Sequence, residues 1–205
     1  VSTMEYMFYK AKEFEGNGLS SWNVSSVESM HRMFYDAEKF NSYIGDWDTR
    51  SVTDMSYMFY SAEAFNNGAT SNTNIAPLNW DTTNVETMER MFYNAHSFNQ
   101  DVSTRYIYDD EGNYLYTAWD TGSVTNILWM FHECLVFNQD IGNWDTSNIT
   151  NMGGMFKKAI VFNQDISTKD IYDDEGIYLY TAWDTGSVTN MEQMFNGYSE
   201  NYTSA

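Results

Sequence analysis

The 205-residue chain has a single cysteine, Cys134, and three histidines, His31, His96 and His132. That scarcity excludes a disulfide framework and a zinc site built from Cys and His ligands. Basic residues are few as well: 10 Lys and Arg stand against 29 Asp and Glu, for a formal net charge of −19. A field of that sign repels phosphate backbones and anionic headgroups, so nucleic acid is not an expected partner. No apolar run approaches the length of a membrane-crossing helix, so membrane insertion is not expected either. Also missing are a Gly-rich phosphate loop, a nucleophile elbow and a metalloprotease motif. Without a convergent nucleophile or acid–base set, the chain is not expected to be an enzyme.

Aromatic residues are abundant, with 16 Tyr, 13 Phe and 7 Trp. So much apolar surface in a chain only 19% charged excludes a disordered acidic tail; the chain folds.

Six tryptophans, Trp22, Trp47, Trp80, Trp119, Trp144 and Trp183, open copies of one frame. "WDTRSVTDMSYMFYSAEAF" runs from Trp47 to Phe65, and "WDTTNVETMERMFYNAHSF" from Trp80 to Phe98. From each Trp to the Phe of the Met-Phe pair is 12 residues, and from there to the next repeat Phe is six wherever both exist. Length varies only afterwards, where 7 to 21 residues lead to the next Trp. A fixed segment joined by elastic connections predicts one domain, 1–205, of stacked units beginning near 22, 47, 80, 119, 144 and 183, with inserts at 66–79, 103–118 and 167–182. "VSTMEYMF" starts inside a unit, which predicts a piece of a longer or processed polypeptide.

Val52, Met55, Met58, Phe59 and Ala62 form an apolar stripe of helical spacing, preceded in each unit by a Ser or Asn suited to cap a helix. The following "FNQDI" alternates apolar and polar residues, as a short strand does. The expected fold class is therefore an α/β repeat: an LRR-like right-handed solenoid of short helical segments and short stacked strands, with two inserted β-hairpins.

The frame W-D-T-S-N-V-T-x-M-x-x-M-F-x-x-A-x-x-F-N-Q-D-I resembles the 26-residue repeat of bacterial surface proteins, found in mycoplasma-type lipoproteins and related to BspA-like leucine-rich repeats. The resemblance covers the chain outside the three longer connections. It implies a solenoid on a cell-surface protein, with adhesion or host contact as its role and no catalytic residues. Ile127 and Cys134 depart from the frame, and in the last unit Tyr198 and Asn201 replace the small residue and the second Phe.

Asn41, Asn66, Asn99, Asn138 and Asn163 occupy one position of the frame and are expected to form a structural ladder that satisfies neighbouring backbone groups. Asp48, Asp81, Asp120, Asp145 and Asp184 follow their tryptophans and suit turns, since Asp bonds its own downstream backbone. Asp101, Asp140 and Asp165 form a further column, and Ca2+ is the one cofactor such oxygen-rich columns could take. Cys134 fills a slot held elsewhere by Ala37, Ala62, Ala95 and Ala159, which marks a packed thiol and not a nucleophile. The adjacent His132 and Glu133 are set aside, because the equivalent positions elsewhere hold Tyr-Ser, Tyr-Asn and Lys-Lys. Asn23, Asn148 and Asn201 lie in N-x-S/T sequons and are candidate glycosylation sites.

The two 21-residue connections are nearly identical: residues 103–126 and 167–190 differ at three of 24 positions. In "IYDDEGNYLY" the sequence Asp109-Asp110-Glu111-Gly112 suits a hairpin turn. Pairing Tyr108 with Tyr114 then sets Tyr106 against Tyr116 on the same face, and leaves Ile107 and Leu115 on the other. Tyr172, Tyr178 and Tyr180 repeat this in the second hairpin, where Asp170 replaces the fourth tyrosine. These tyrosines are the candidate contacts for a ligand or partner, although cross-strand packing alone would also explain them. Two functions stay open: an extracellular adhesion module recognising a surface protein or glycan, and a structural subunit of a filament, coat or surface layer that binds copies of itself.

Overall fold

The computed structural model describes residues 1–71 and 76–197. Among these residues regular structure is sparse: one 3-10 helix, Leu19–Ser21, and the strands β1 (Arg105–Tyr108), β2 (Tyr114–Ala118), β3 (Lys169–Tyr172) and β4 (Tyr178–Ala182). β1 pairs antiparallel with β2, and β3 with β4, as two separate two-stranded sheets. The LRR-like solenoid of helical segments and stacked strands is therefore overturned. No α-helix occurs among the described residues, and the "FNQDI" segments form no strands.

The physical reason lies in backbone handedness. Met58 N–H donates to Met55 O, Tyr60 N–H to Tyr57 O and Ala62 N–H to Phe59 O, a chain of linked turns. Tyr57 and Ser61 stand at φ 58° and 53°, and the pairs Arg32/Asp36, Arg90/Asn94, Trp129/Glu133 and Gly154/Lys158 repeat this. A left-handed residue at every fourth position stops a right-handed helix from propagating. It also leaves alternate N–H groups pointing at the neighbouring unit. Met55, Tyr57, Phe59 and Ser61 donate to the carbonyls of Thr87, Glu89, Met91 and Tyr93 at 2.7–3.2 Å. Turns three residues long bring Val52, Met55, Met58 and Ala62 to one buried face, so the apolar stripe mimics helical spacing. The residues expected to cap helices tie units together. Ser51 Oγ donates to Ser25 O, Asn84 Nδ2 to Arg50 O and Asn148 Nδ2 to Gly122 O.

Parallel bridges link consecutive units in one line through Thr3, Ser29, Asp54, Thr87, Asn126, Asn151 and Asn190. Like residues consequently stack on like. Phe34, Phe59, Phe92, Phe131 and Phe156 form one column with ring centroids 5.5–5.9 Å apart and nearly parallel planes. Phe40, Phe65, Phe98, Phe137 and Phe162 form a second. Burying each phenyl ring contributes about 1.5–3 kcal/mol, which makes these columns the main cohesive element. The tryptophans close the core, and their Nε1–H groups donate to backbone carbonyls: Trp80 to Ile44, Trp119 to Leu78, Trp144 to Val102 and Trp183 to Ile141, at 2.8–2.9 Å.

The asparagine column is a continuous ladder. The side-chain oxygens of Asn41, Asn66, Asn99 and Asn138 accept the backbone N–H groups of Asn66, Asn99, Asn138 and Asn163 at 2.8–2.9 Å. The glutamines of the same triplet reinforce it. Gln139 Nε2 donates to Asn99 O and Gln164 Nε2 to Asn138 O.

Candidate functional site

Both long inserts project as hairpin arms with the same anchoring. Gly112 and Gly176 stand at φ 85° and 80°, the left-handed turn position the sequence reserves for glycine. Asn113 Nδ2 donates to Asp109 Oδ2, the N–H groups of Asn113 and Glu111 donate to its Oδ1, and these bonds hold its carboxyl below the usual range. At the arm bases, Tyr116 Oη donates to Asn79 O and Tyr180 Oη to Asn143 O, both at 2.6 Å. Burial, with Asp145 and Asp120 nearby, pushes the Tyr180 phenol up to about 12.

The register corrects the expected pairing. Tyr108 does face Tyr114, but Tyr106 faces Thr117 and Ile107 faces Tyr116, with an irregularity between Ile107 and Tyr108. The second arm repeats this, with Tyr172 opposite Tyr178 and Ile171 opposite Tyr180. A one-residue slip moves side chains across the sheet. Tyr116 and Tyr180 therefore pack against the core with Ile107 and Ile171, while Leu115 is exposed. The exposed aromatic surface comprises Tyr106, Tyr108 and Tyr114 on the first arm and Tyr172 and Tyr178 on the second. Tyr114 meets Tyr106 and Tyr108 edge to face, with centroids 6.0 and 6.2 Å away.

A groove runs between the arms. Its inner part, about 470 Å³, has Asp120, Gly122 and Asp145 as floor, with Tyr106 and Thr117 on one wall and Leu179 and Tyr180 on the other. Its outer part, about 480 Å³, lies between Tyr106, Tyr108 and Tyr114 and the second arm's tip, Asp173, Asp174 and Glu175.

Asp48, Asp81, Asp120, Asp145 and Asp184 each accept the N–H two residues on, as turn residues do. Asp101, Asp140 and Asp165 do the same for Ser103, Gly142 and Ser167 at 2.8–2.9 Å. Among the described residues no group of three or more His, Cys, Asp or Glu is arranged to hold a metal ion, so the calcium expectation for this column lacks support. Asn23 Oδ1 accepts from the Ser25 backbone and hydroxyl, and Asn148 Nδ2 is engaged by Gly122 O; Asn201 and Tyr198 lie outside the described residues. Cys134 is buried, donates to Phe92 O and has its thiol pushed up by burial, the reverse of an activated nucleophile.

One aromatic surface was not expected from the sequence. Tyr9, Tyr35, Tyr60 and Tyr93 stack in a row that ends on His132, with centroids 4.3–5.0 Å apart. Beside it Arg32 and Arg90 lie over the Tyr57 ring. Its signal in the sequence is the Tyr that follows Met-Phe in four units. In this row the faces of the rings cover one another, which leaves mainly edges outward. That is cladding for the stack; the arms, by contrast, carry exposed tyrosines that are not stacked face to face.

The family described as Mycoplasma protein of unknown function, DUF285, matches residues 1–78, 72–178 and 108–203. No curated protein and no solved structure matches the chain. The three matched stretches overlap and take in both the repeated frame and the two arms, and the chain belongs to the DUF285 family of Mycoplasma proteins.

Proposed function

We propose that the chain is a non-catalytic binding module at a cell surface, which recognises a protein or glycan through the tyrosines of its two arms. The observation that carries this reading is the exposure of Tyr106, Tyr108 and Tyr114, at 44%, 52% and 56%, on an arm whose base is fixed by bonded side chains. Exposed aromatics on a rigid support lose little entropy on binding, and tyrosine is enriched among residues that dominate interfaces. The Mycoplasma family and the frame's resemblance to bacterial surface repeats support the location and the adhesive role. The test is an array of glycans and extracellular proteins probed with the native chain and with Tyr106→Ser/Tyr108→Ser/Tyr114→Ser. Ligands bound by the native chain and lost by the variant support the reading; ligands retained by the variant refute it.

The competing reading, a structural subunit joined by homotypic contacts, draws on Ile160, Val161, Met191 and Phe195, which are each exposed in the last units. Sedimentation and electron microscopy separate the two: ordered oligomers favour the subunit, and a monodisperse monomer favours the binding module.

A further inference from the structure

The groove between the arms has a composition that the exposed tyrosines alone do not explain. Its outer part sets three aromatic rings against three carboxylates, and its inner part adds Asp120 and Asp145; none of these lining residues is cationic. The rings are not stacked. Tyr114 stands at 73° to Tyr106 and at 75° to Tyr108, edge to face with both, and all three rings line the outer part. Exposed tyrosine rings attract a cation through their quadrupoles, and carboxylates facing the same space add to that attraction. A sugar platform needs one flat exposed face, and a purely acidic surface would need no rings. The carboxylates lie close enough to act on these rings: the Tyr106 phenol pKa is raised by burial and by Asp173 and Asp174. On the floor, a methyl group built on Gly122 would sit 3.2 Å from Asp120 Oδ1, the oxygen that accepts the Gly122 N–H, and 3.4 Å from Asp145 Oδ2. Each carboxylate still has an oxygen beyond the one that accepts its turn N–H.

We infer that the inter-arm groove is a binding site for a lysine or arginine side chain carried on a segment of a basic protein, held between the rings of Tyr106, Tyr108 and Tyr114 and the carboxylates of Asp173, Asp174 and Glu175. This rests on the binding-module reading and narrows its partner to one chemistry. An alkyl stem lies along the tyrosines and Leu179 while the charged head meets the acids, the usual habit of long basic side chains. The overall charge of −19 draws such a partner in from a distance.

The experiment titrates the chain with a fluorescent hexalysine peptide at 150 mM salt, with hexaglutamate as the control. Two variants alter the groove: Tyr106→Ser/Tyr114→Ser, and Asp173→Asn/Asp174→Asn/Glu175→Gln. A third, Asp109→Asn/Asp110→Asn/Glu111→Gln, removes the same three charges from the first arm's tip, outside the groove. Circular dichroism checks that each variant is folded, and the Asn replacements keep the Oδ1 acceptors of the turn N–H groups, while Asp109→Asn gives up only the bond from Asn113 Nδ2.

The expected result is hexalysine binding weakened about tenfold by loss of the two rings, from the energy of two cation–π contacts. The second-tip variant should weaken it further than the first-tip variant does. Equal weakening by both tips would show attraction by net charge alone and overturn the site. So would full binding by the tyrosine variant, absence of hexalysine binding, or binding to phosphatidylcholine vesicles in its place. If hexalysine fails while an array ligand still depends on Tyr106, Tyr108 and Tyr114, the basic-partner assignment falls and the binding-module reading stands.

Discussion

Tyr116 donates its phenolic hydroxyl to the backbone carbonyl of Asn79 at 2.6 Å, joining the first arm to a unit that precedes it in the chain. Arg105 strengthens the joint with bonds to Leu78 O and Asn79 Oδ1. The arm is thus fixed at its base and bare at its tip. Tyr116→Phe keeps the ring and removes the bond, at a cost of about 1 kcal/mol. Amide hydrogen exchange should accelerate across β1 and β2 while the tryptophan and phenylalanine columns keep their protection. Unchanged exchange in the arm would show that Arg105 and the strand pairing suffice.

The asparagine ladder makes a graded prediction. Asn99→Ala leaves the backbone N–H of Asn138 without its acceptor and should cost about 1–3 kcal/mol in chemical denaturation. Asn99→Asp keeps an oxygen in place and should cost less. Asn163, exposed at the end of the run, should tolerate alanine within about 0.5 kcal/mol.

This ladder was legible in the sequence, because a polar residue recurring at one position of a stacked unit has only its counterparts and the backbone between them to bond. The turn duty of Asp48 and its equivalents was legible for a similar local reason, and so were the hairpins, from their Gly and alternating strands. Handedness was not legible. Val52, Met55, Met58 and Ala62 share one buried face whether the backbone is a helix or linked turns, and nothing in Tyr57 or Ser61 announces a positive φ. The arm face was half legible: the pairing of Tyr108 with Tyr114 follows from the turn, but the irregularity at Ile107/Tyr108 that turns Tyr116 inward does not.

The left-handed turns can be tested directly at Ser61, φ 53°. Ser61→Gly should leave stability unchanged or raise it slightly, because glycine adopts this conformation without steric cost. Ser61→Val should lower it by roughly 1–2 kcal/mol, since a β-branched residue is most opposed to positive φ. Equal stability of the two variants in urea denaturation would contradict the assigned backbone.

His132 supplies a pH dependence. Burial lowers its pKa from 6.5 to about 4, against the opposing influence of Glu133, and its Nδ1 is buried without a bonding partner. The unfolded chain therefore binds a proton at this residue that the folded chain does not, between about pH 6.5 and 4. Its contribution is fully present above pH 6.5 and is lost as the pH falls towards 4, by about 3 kcal/mol at most. His132→Phe should flatten the stability profile in that window relative to the native chain. Parallel profiles would mean that His132 titrates normally when folded.

The most direct test of the account separates the scaffold from the arms in one comparison, the binding of the native chain and of Tyr106→Ser/Tyr108→Ser/Tyr114→Ser to the same array of glycans and extracellular proteins. All three tyrosines are exposed and lie outside the stacked columns, so the variant should melt within a few degrees of the native chain. The account predicts a folded variant that has lost the ligands the native chain retains. A folded variant that keeps every ligand would contradict it and move the binding surface off the arms.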